Sequence, residues 1–395
     1  MSRFLLCSFA LVLLYPTAID LYLVGLPQIA QDLAATESQL HMAFSVYLSG
    51  MAVTMLFVGR LADRLGRKPV AIGGAVIFAI ASWLGGTAQN SEFFLQMRFF
   101  QGVGAGCCYV VAFAILRDTL DDKKRAKVLS MLNGITCMIP VLAPVIGHLI
   151  MIKFPWPVLF SAMAGMGVLV CLISTLLLKE TLSRHVRSET IPSAASESLF
   201  DRFFISRVLF TSFGVTAILT YVNTSPMIVM ETLNFTRGQY STAMALLAMV
   251  GMSTSFSAPI ALNYFKQGTL LLGSQAITLL SAVVILAAHL HDDSSTLYML
   301  GFAMISMGFS MGFGVAMSQA LSPFSHKAGL ASSVLGIAQV CCSALYIWFM
   351  AWLGVSAVDM LLIALACGGA MGLSLIVLVS NQTNSELNEE VTCTP

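Results

Sequence analysis

The sequence predicts an all-α membrane protein whose chain crosses the bilayer twelve times, in two halves of six helices. Three observations carry this prediction: an apolar composition, a series of apolar runs of spanning length, and one polar segment that divides these runs six and six. Hydrophobic residues make up 57 % of the 395 residues, and the mean hydropathy is +0.86. The net charge of +1 gives no general attraction to nucleic acid, and the few charged residues cannot cover an ordinary soluble surface.

Apolar runs long enough to span a bilayer follow one another along the whole chain. A hydrocarbon core of about 30 Å needs roughly 20 apolar residues of helix. Lipid admits only helices or closed barrels, and these runs are too long and too uniformly apolar for barrel strands. The predicted spans are residues 4–25, 41–59, 69–88, 93–116, 128–151, 156–178, 205–229, 240–263, 269–290, 295–320, 328–350 and 355–380.

Local signals place the ends of the first three spans. The first continues past YPTAIDLYLVGLP without a small-x-small cleavage site, which favours a retained helix over a signal peptide. The second is predicted to end at Gly59 and the third to begin at Pro69, a favoured first helical residue. Nine residues would then join two antiparallel helices.

The twelve spans group into two similar halves around a polar, Ser-rich stretch, KETLSRHVRSETIPSAASESLFDRFF (179–204). GVGAGCCYVVAFAILRD (102–118) in the first half resembles GFSMGFGVAMSQALSPF (308–324) in the second. Repeated halves favour a secondary transporter whose site lies between them. The predicted domains are a six-helix half, a cytoplasmic linker, a second six-helix half and a cytoplasmic tail, at residues 1–180, 181–204, 205–380 and 381–395.

Basic residues fall on alternate loops, which predicts the orientation. With the N-terminus inside, 17 of the 20 Lys and Arg residues lie on the cytoplasmic side. Lys153 and Arg237 fall in outer loops, and Arg98 lies within a span. Both termini are therefore predicted to be cytoplasmic.

Two charged residues are predicted to lie inside the membrane, Asp20 in span one and Arg98 in span four. Each costs at least about 2.5–3.5 kcal/mol to insert, which makes it a functional candidate. From the span edges both lie at a depth of roughly 7 Å, so they can share a level. Burial favours the protonated carboxyl, whereas a nearby guanidinium favours the carboxylate. Asp20 is predicted to carry the coupling proton with Arg98 as its charge partner; a static pair that merely allows insertion is the alternative.

The stretch GRLADRLGRKP (59–69), which we call the hinge, carries five charges in eleven residues. Its four basic residues can act as topology anchors at anionic lipid headgroups. Asp63 among them suggests a second role. An acid in that position can face a helix N-terminus or a basic loop and so hold the cytoplasmic side of the protein closed. Both interpretations are open at this point.

These motifs carry a resemblance. GRLADRLGRKP resembles the signature between helices two and three of the major facilitator superfamily, and RFFQGVGAGCCYVVAFAILRD (98–118) resembles its helix-four motif with an intramembrane arginine. With IDLYLVGLP (19–27), the chain is similar to the drug:proton antiporter branch, typified by bicyclomycin- and chloramphenicol-resistance exporters. The resemblance places helices one and four at the central cavity. It also joins Asp118 to the hinge charges in a cytoplasmic latch comprising Gly59, Asp63, Arg64, Gly66, Arg67 and Asp118.

The antiporter motif of helix five departs from the family pattern. In GITCMIPVLAPVIGHL (134–149) Pro144 and Gly147 remain, His148 replaces the last glycine and Gly134 is out of register. This motif is therefore weak support for export. Asn223, Gln319 and Gln339 are uncharged polar residues in spans, equally suited to helix–helix hydrogen bonds or to drug contacts.

The resemblance implies a proton-driven exporter of hydrophobic or amphipathic drugs such as chloramphenicol, working by alternating access as a monomer in the bacterial inner membrane. Drugs, protons and membrane lipids are the expected partners, and no cofactor is expected besides the coupling proton. Nine cysteines form neither a disulfide framework nor metal-ligand spacing, and no catalytic motif or Walker loop occurs, so no metal site and no enzyme activity are expected. A proton-coupled metabolite exporter with incidental drug transport is the alternative; a channel or scaffold is disfavoured by the repeated halves.

Overall fold

The computed structural model describes residues 2–392 except 121, 182–200, 292 and 325–327. It describes side chains over the same residues except 2, 122–127, 129–131, 133–137, 328–330 and 379–392. Every regular element in this part of the chain is helical. The α-helices are α1 (Ser2–Asp20), α2 (Leu26–Asp32), α3 (Glu37–Leu65), α4 (Arg67–Gly86), α5 (Ser91–Thr119), α6 (Asp122–Met151), α7 (Pro157–Leu177), α8 (Arg202–Pro226), α9 (Arg237–Ala261), α10 (Gln267–Leu290), α11 (Ser295–Leu321), α12 (Ala328–Trp352) and α13 (Ala357–Thr392).

The predicted membrane class is confirmed. Within the described residues, eleven helical stretches are long and apolar enough to cross a bilayer, and the apolar part of α6 described there is shorter, Met138–Met151. Large apolar side chains such as Phe57, Trp83 and Leu176 are more than half exposed. Such a surface is suited to lipid and not to water.

The first predicted span is not one helix. α1 ends at Asp20, a 3₁₀ turn covers Leu23–Gly25, and α2 begins at Leu26. Pro27 lies at the start of α2. Because proline has no backbone N–H and its ring clashes with the preceding turn, a continuous helix through this point is unfavourable. Arg3–Asp32 is long and apolar enough to cross the membrane, in agreement with the predicted span 4–25, but the prediction of one continuous helix is wrong, and the break lies directly after the candidate proton carrier.

The chain forms two compact units. The first comprises residues 1–191, 222–248 and 344–357, and the second comprises residues 192–221, 249–343 and 358–395. In the first unit α5 packs against α1, α3 and α4, and α4 also packs against α7. This places Arg98, on α5, at the centre of the first unit.

The second unit has its own apolar core. α10 packs against α11, and a cluster that includes Phe210, Leu271 and Val315 is buried between neighbouring helices. A small cavity in this unit is lined by apolar residues together with Thr211, Gln275 and Thr278.

Candidate functional site

The charged hinge is much tighter than the predicted nine-residue turn. α3 continues through Leu65 and α4 begins at Arg67, so Gly66 is the single residue between them. Gly66 has φ +106°, a conformation that favours glycine. Gly59 lies inside α3 and does not end it, and Pro69 is the third residue of α4, so the predicted hinge boundaries are wrong. These boundaries were predicted from the length of the apolar runs, whereas α3 extends past the hydrocarbon level with charged residues in its last turns.

Arg67 forms ion pairs with both acids of the predicted latch. Its Nη1 lies 2.7 Å from Asp63 Oδ1, one turn earlier in the chain, and its Nε donates to Asp118 Oδ2 at 2.9 Å from the end of α5. The guanidinium is buried, while Asp118 is 17 % and Asp63 59 % exposed. Arg64 is exposed in the last turn of α3. The structure thus brings three of the predicted latch residues into direct contact across α3, α4 and α5.

Glu180, which sequence reasoning missed, completes this cluster. Its two carboxylate oxygens accept hydrogen bonds from the backbone N–H groups of Arg67 at 2.8 Å and Lys68 at 3.1 Å. An acid at a helix N-terminus satisfies free N–H groups and complements the helix dipole. A Cβ at Gly66 would collide with the same carboxylate. The available signal was an acid two residues beyond the end of the sixth predicted span, on the hinge side of the membrane.

We expect Asp118→Asn to lower the transport rate by about fivefold and Asp63→Asn by a smaller factor, with drug binding retained in both. The partly buried acid holds Arg67 more strongly than the exposed one, and a conformational equilibrium of a few kcal/mol responds to such differences. The measurements are drug transport in vesicles and drug binding to the purified variants. Arg117→Gln is the matched control, since Arg117 is exposed and lies 3.6 Å from Asp118. Equal loss of binding and transport would indicate a folding defect and not a latch.

Arg98 is buried in an aromatic and carbonyl cage. The carbon at the centre of its guanidinium lies 4.3 Å from the ring centroid of Tyr22 and 4.5 Å from that of Tyr47. Nη1 donates to the Ala18 carbonyl at 3.1 Å and to Gln101, and Nε donates to the Ala43 carbonyl at 3.4 Å. Because Ala18 is in the last turn of α1, its carbonyl is one that a helix end leaves available. The arginine therefore joins α5 to α1 and α3.

Asp20 lies at the end of α1 and is only 5 % exposed. Four tyrosines interact with it electrostatically: Tyr15, Tyr22, Tyr47 and Tyr240. Among the described residues no ion pair joins Asp20 to Arg98, so their direct pairing stays a prediction. The carboxyl sits at the negative end of the α1 dipole in an aromatic environment, which disfavours a permanent charge.

The other predicted site residues contact neighbouring helices. Gly147 lets α6 approach the turn directly after α1, since a Cβ there would lie 2.8 Å from the Leu21 carbonyl oxygen; Pro144 lies within α6. Asn223 Nδ2 is 2.9 Å from His41 Nδ1. Gln319 and Gln339 donate to Gln267 at 2.8 Å and to the Met317 sulfur at 3.5 Å. In this structure all three polar side chains serve helix–helix hydrogen bonds.

Sequence reasoning also missed the partners of Arg98. Gln101 donates to Ser82 Oγ at 2.8 Å and so connects the guanidinium to α4. The signal was its position three residues after Arg98 on one helix, where side chains are neighbours. Tyr22 and Tyr47 carried no comparable signal, because aromatic residues are common in spans. Within the described residues, no group of three or more His, Cys, Asp or Glu side chains could hold a metal ion.

These features define a multi-pass helical membrane transporter: spanning helices, a charged turn held by ion pairs, and an ionisable residue at a helix break. Comparison with protein families matches the Major Facilitator Superfamily over residues 8–350. The chain belongs to this superfamily, which confirms the family that the two motifs predicted, and it is a transporter and not an enzyme.

Several relatives are similar over the full length. The chain is 62 % identical to "Multidrug resistance protein MdtL" of Vibrio parahaemolyticus over 392 residues, covering 99 % of both chains. It is 59 % identical to the protein of the same name from Klebsiella pneumoniae over 391 residues, again covering 99 % of each. Among solved structures, a D-xylose-proton symporter aligns with a TM-score of 0.77 at 14 % identity, covering 95 % of this chain and 96 % of that one. This structural likeness shows the shared fold.

Proposed function

We propose that this protein exports hydrophobic or amphipathic drugs, such as chloramphenicol, across the bacterial inner membrane in exchange for protons. The full-length relatives named as multidrug resistance proteins support the substrate class. The observation that carries proton coupling is Asp20, a buried carboxyl at a helix break with no ion-pair partner among the described residues.

The proposed coupling follows from what a buried carboxyl can do. As a carboxylate in an apolar region it is costly, and binding a proton removes the charge. Arg98 does not release its proton and is held by two rings and two carbonyls, so it serves as a fixed charge that positions α1. Proton binding at Asp20 from outside changes the charge next to α2, and this change biases the return to the inward-facing state.

Inverted vesicles test the proposal. Vesicles that contain the protein and a trapped pH-sensitive dye are energised, and a panel of drugs that includes chloramphenicol is added. We expect drug-dependent proton release that saturates with drug concentration and is absent from vesicles without the protein. No release with any drug would refute drug:proton antiport and favour the exporter of a native metabolite.

A further inference from the structure

A buried histidine lies outside the site described so far. His41, in the second turn of α3, is completely buried. Its Nδ1 is 2.9 Å from the amide nitrogen of Asn223, which is itself buried on α8. The two residues are 182 positions apart in the sequence, so this hydrogen bond joins distant segments within the first compact unit.

The direction of this hydrogen bond depends on the protonation state of the ring. An amide nitrogen is a donor only, so as placed it donates to Nδ1, and Nδ1 can accept only while it carries no proton. The proton of the neutral ring then lies on Nε2. In a doubly protonated ring the Nδ1–H donor would face the N–H donors of the Asn223 amide. The amide would then have to rotate, or the contact would separate.

Glu37 places a partly exposed carboxylate beside the buried ring. Its Oε1 lies 3.6 Å from His41 Nε2, one turn earlier on the same helix, and its side chain is 49 % exposed. The same oxygen accepts a hydrogen bond from the Ala357 backbone N–H at 2.9 Å. Glu231, after α8, also interacts electrostatically with both His41 and Glu37. Two acids of the described chain, Glu37 and Glu231, thus interact with the imidazole.

Neighbouring contacts use the same face of α3. Ser45 Oγ donates to the Ala344 carbonyl at 2.7 Å, and Ser38 Oγ donates to the Ala351 carbonyl. Together with His41 and Glu37, these residues fasten the first half of α3 to α8, α12 and the start of α13. Among the contacts to α8 and α12, the His41–Asn223 hydrogen bond has an acceptor that can itself bind a proton.

We propose that His41 is a proton-binding site, and that a proton bound at Nδ1 breaks its hydrogen bond to Asn223 while Glu37, at Nε2, stabilises the resulting imidazolium. The step is a proton transfer alone: a proton from solvent binds Nδ1, and the Asn223 amide loses its acceptor. The imidazolium is then attracted to Glu37 on its own helix, so α3 loses a tie to α8. The role in the transport cycle rests on the proposed function. There, low pH on the side of the membrane where α3 begins favours separation of α3 from α8 and α12.

Hydrogen–deuterium exchange tests this site on the purified full-length protein. Uptake is compared at about pH 7.5 and about pH 5.5, on either side of the usual histidine range, and corrected for the intrinsic pH dependence of exchange. We expect uptake in peptides covering residues 37–45 and 344–352 to rise about threefold at the lower pH. In His41→Gln, which can still accept from Asn223 but does not titrate, this rise should disappear.

His289→Gln is the matched control. His289 also faces an acid one turn away, with Nδ1 3.1 Å from Asp293 Oδ1, but it is exposed and lies in the second unit. The pH response of the α3 peptides should persist in this variant. Asn223→Ala gives an independent check should His41→Gln fail to fold: uptake should be high at both pH values.

An unchanged pH response in His41→Gln, or no response in the wild type, would overturn the proton site. The readout needs no drug and no gradient. A lack of drug-dependent proton release in vesicles would therefore refute the proposed function while leaving this result unaffected.

Discussion

Asp20→Asn is expected to reduce drug-dependent proton release in inverted vesicles by about tenfold or more, to the level of vesicles without the protein. The amide has nearly the same shape as the carboxyl, so the packing around this position is preserved. It cannot bind or release a proton, so the charge change that drives the return step is lost. Because the variant also removes a buried ionisable group, its thermal stability should not fall.

Two further variants separate proton coupling from structural effects. Asp20→Glu keeps a titratable group and should retain part of the activity. Asp32→Asn is the matched control: Asp32 ends α2 and accepts a hydrogen bond from Trp156 Nε1 at 2.9 Å, a role that an asparagine oxygen can also fill. If Asp20→Asn still exported drug uphill against a pH gradient, Asp20 would not be the proton carrier.

Gly102→Ala is expected to lower the free energy of unfolding by about 3 kcal/mol or more, the upper range for overpacking a close contact. A Cβ at this position would collide with the Tyr47 carbonyl oxygen and lie 2.9 Å from the Tyr47 carbonyl carbon and 3.2 Å from the Met51 nitrogen. These are backbone atoms of α3 and cannot rotate away, so α3 and α5 must separate. Tyr47 would then move away from Arg98.

Thermal unfolding of the purified protein, followed by fluorescence-detected size-exclusion chromatography, measures this effect. Gly73→Ala on α4 is the control, because no atom lies within 4 Å of the added Cβ. It should leave the midpoint unchanged or raise it slightly, since alanine favours helix more than glycine does. A wild-type midpoint for Gly102→Ala would show that α3 and α5 can separate at little cost.

The hinge shows what a local sequence pattern can predict and what it cannot. The hinge motif drew attention to Asp63 and Arg67, the family resemblance added Asp118, and the three residues meet in the structure. Its boundaries were wrong, because the end of an apolar run marks the hydrocarbon edge and not the end of a helix. Glu180 was missed because its role depends on where the end of the sixth span lies relative to α4, and no periodicity reports such a distance.

The candidate proton site shows the same division. The free-energy cost of placing a charged side chain in the membrane identified Asp20 and Arg98 as candidates from the sequence alone. Their partners were not predictable: Arg98 is held by Tyr22, Tyr47 and the Ala18 carbonyl, which come from two other helices and the turn after α1. Asn223, which sequence left open between helix packing and drug contact, is hydrogen-bonded to His41.

By itself the sequence determined the membrane class, the helical spans, the superfamily and the few charged residues worth testing. These follow from composition, run length and motif spacing, because lipid imposes a large and uniform penalty that is readable residue by residue. Only the tertiary structure decided which groups meet: Arg67 with Asp118 and Asp63, Glu180 with the start of α4, and His41 with Asn223. Such contacts depend on helix rotation and depth to within a few ångströms, and those are set by packing between helices and not by any single segment.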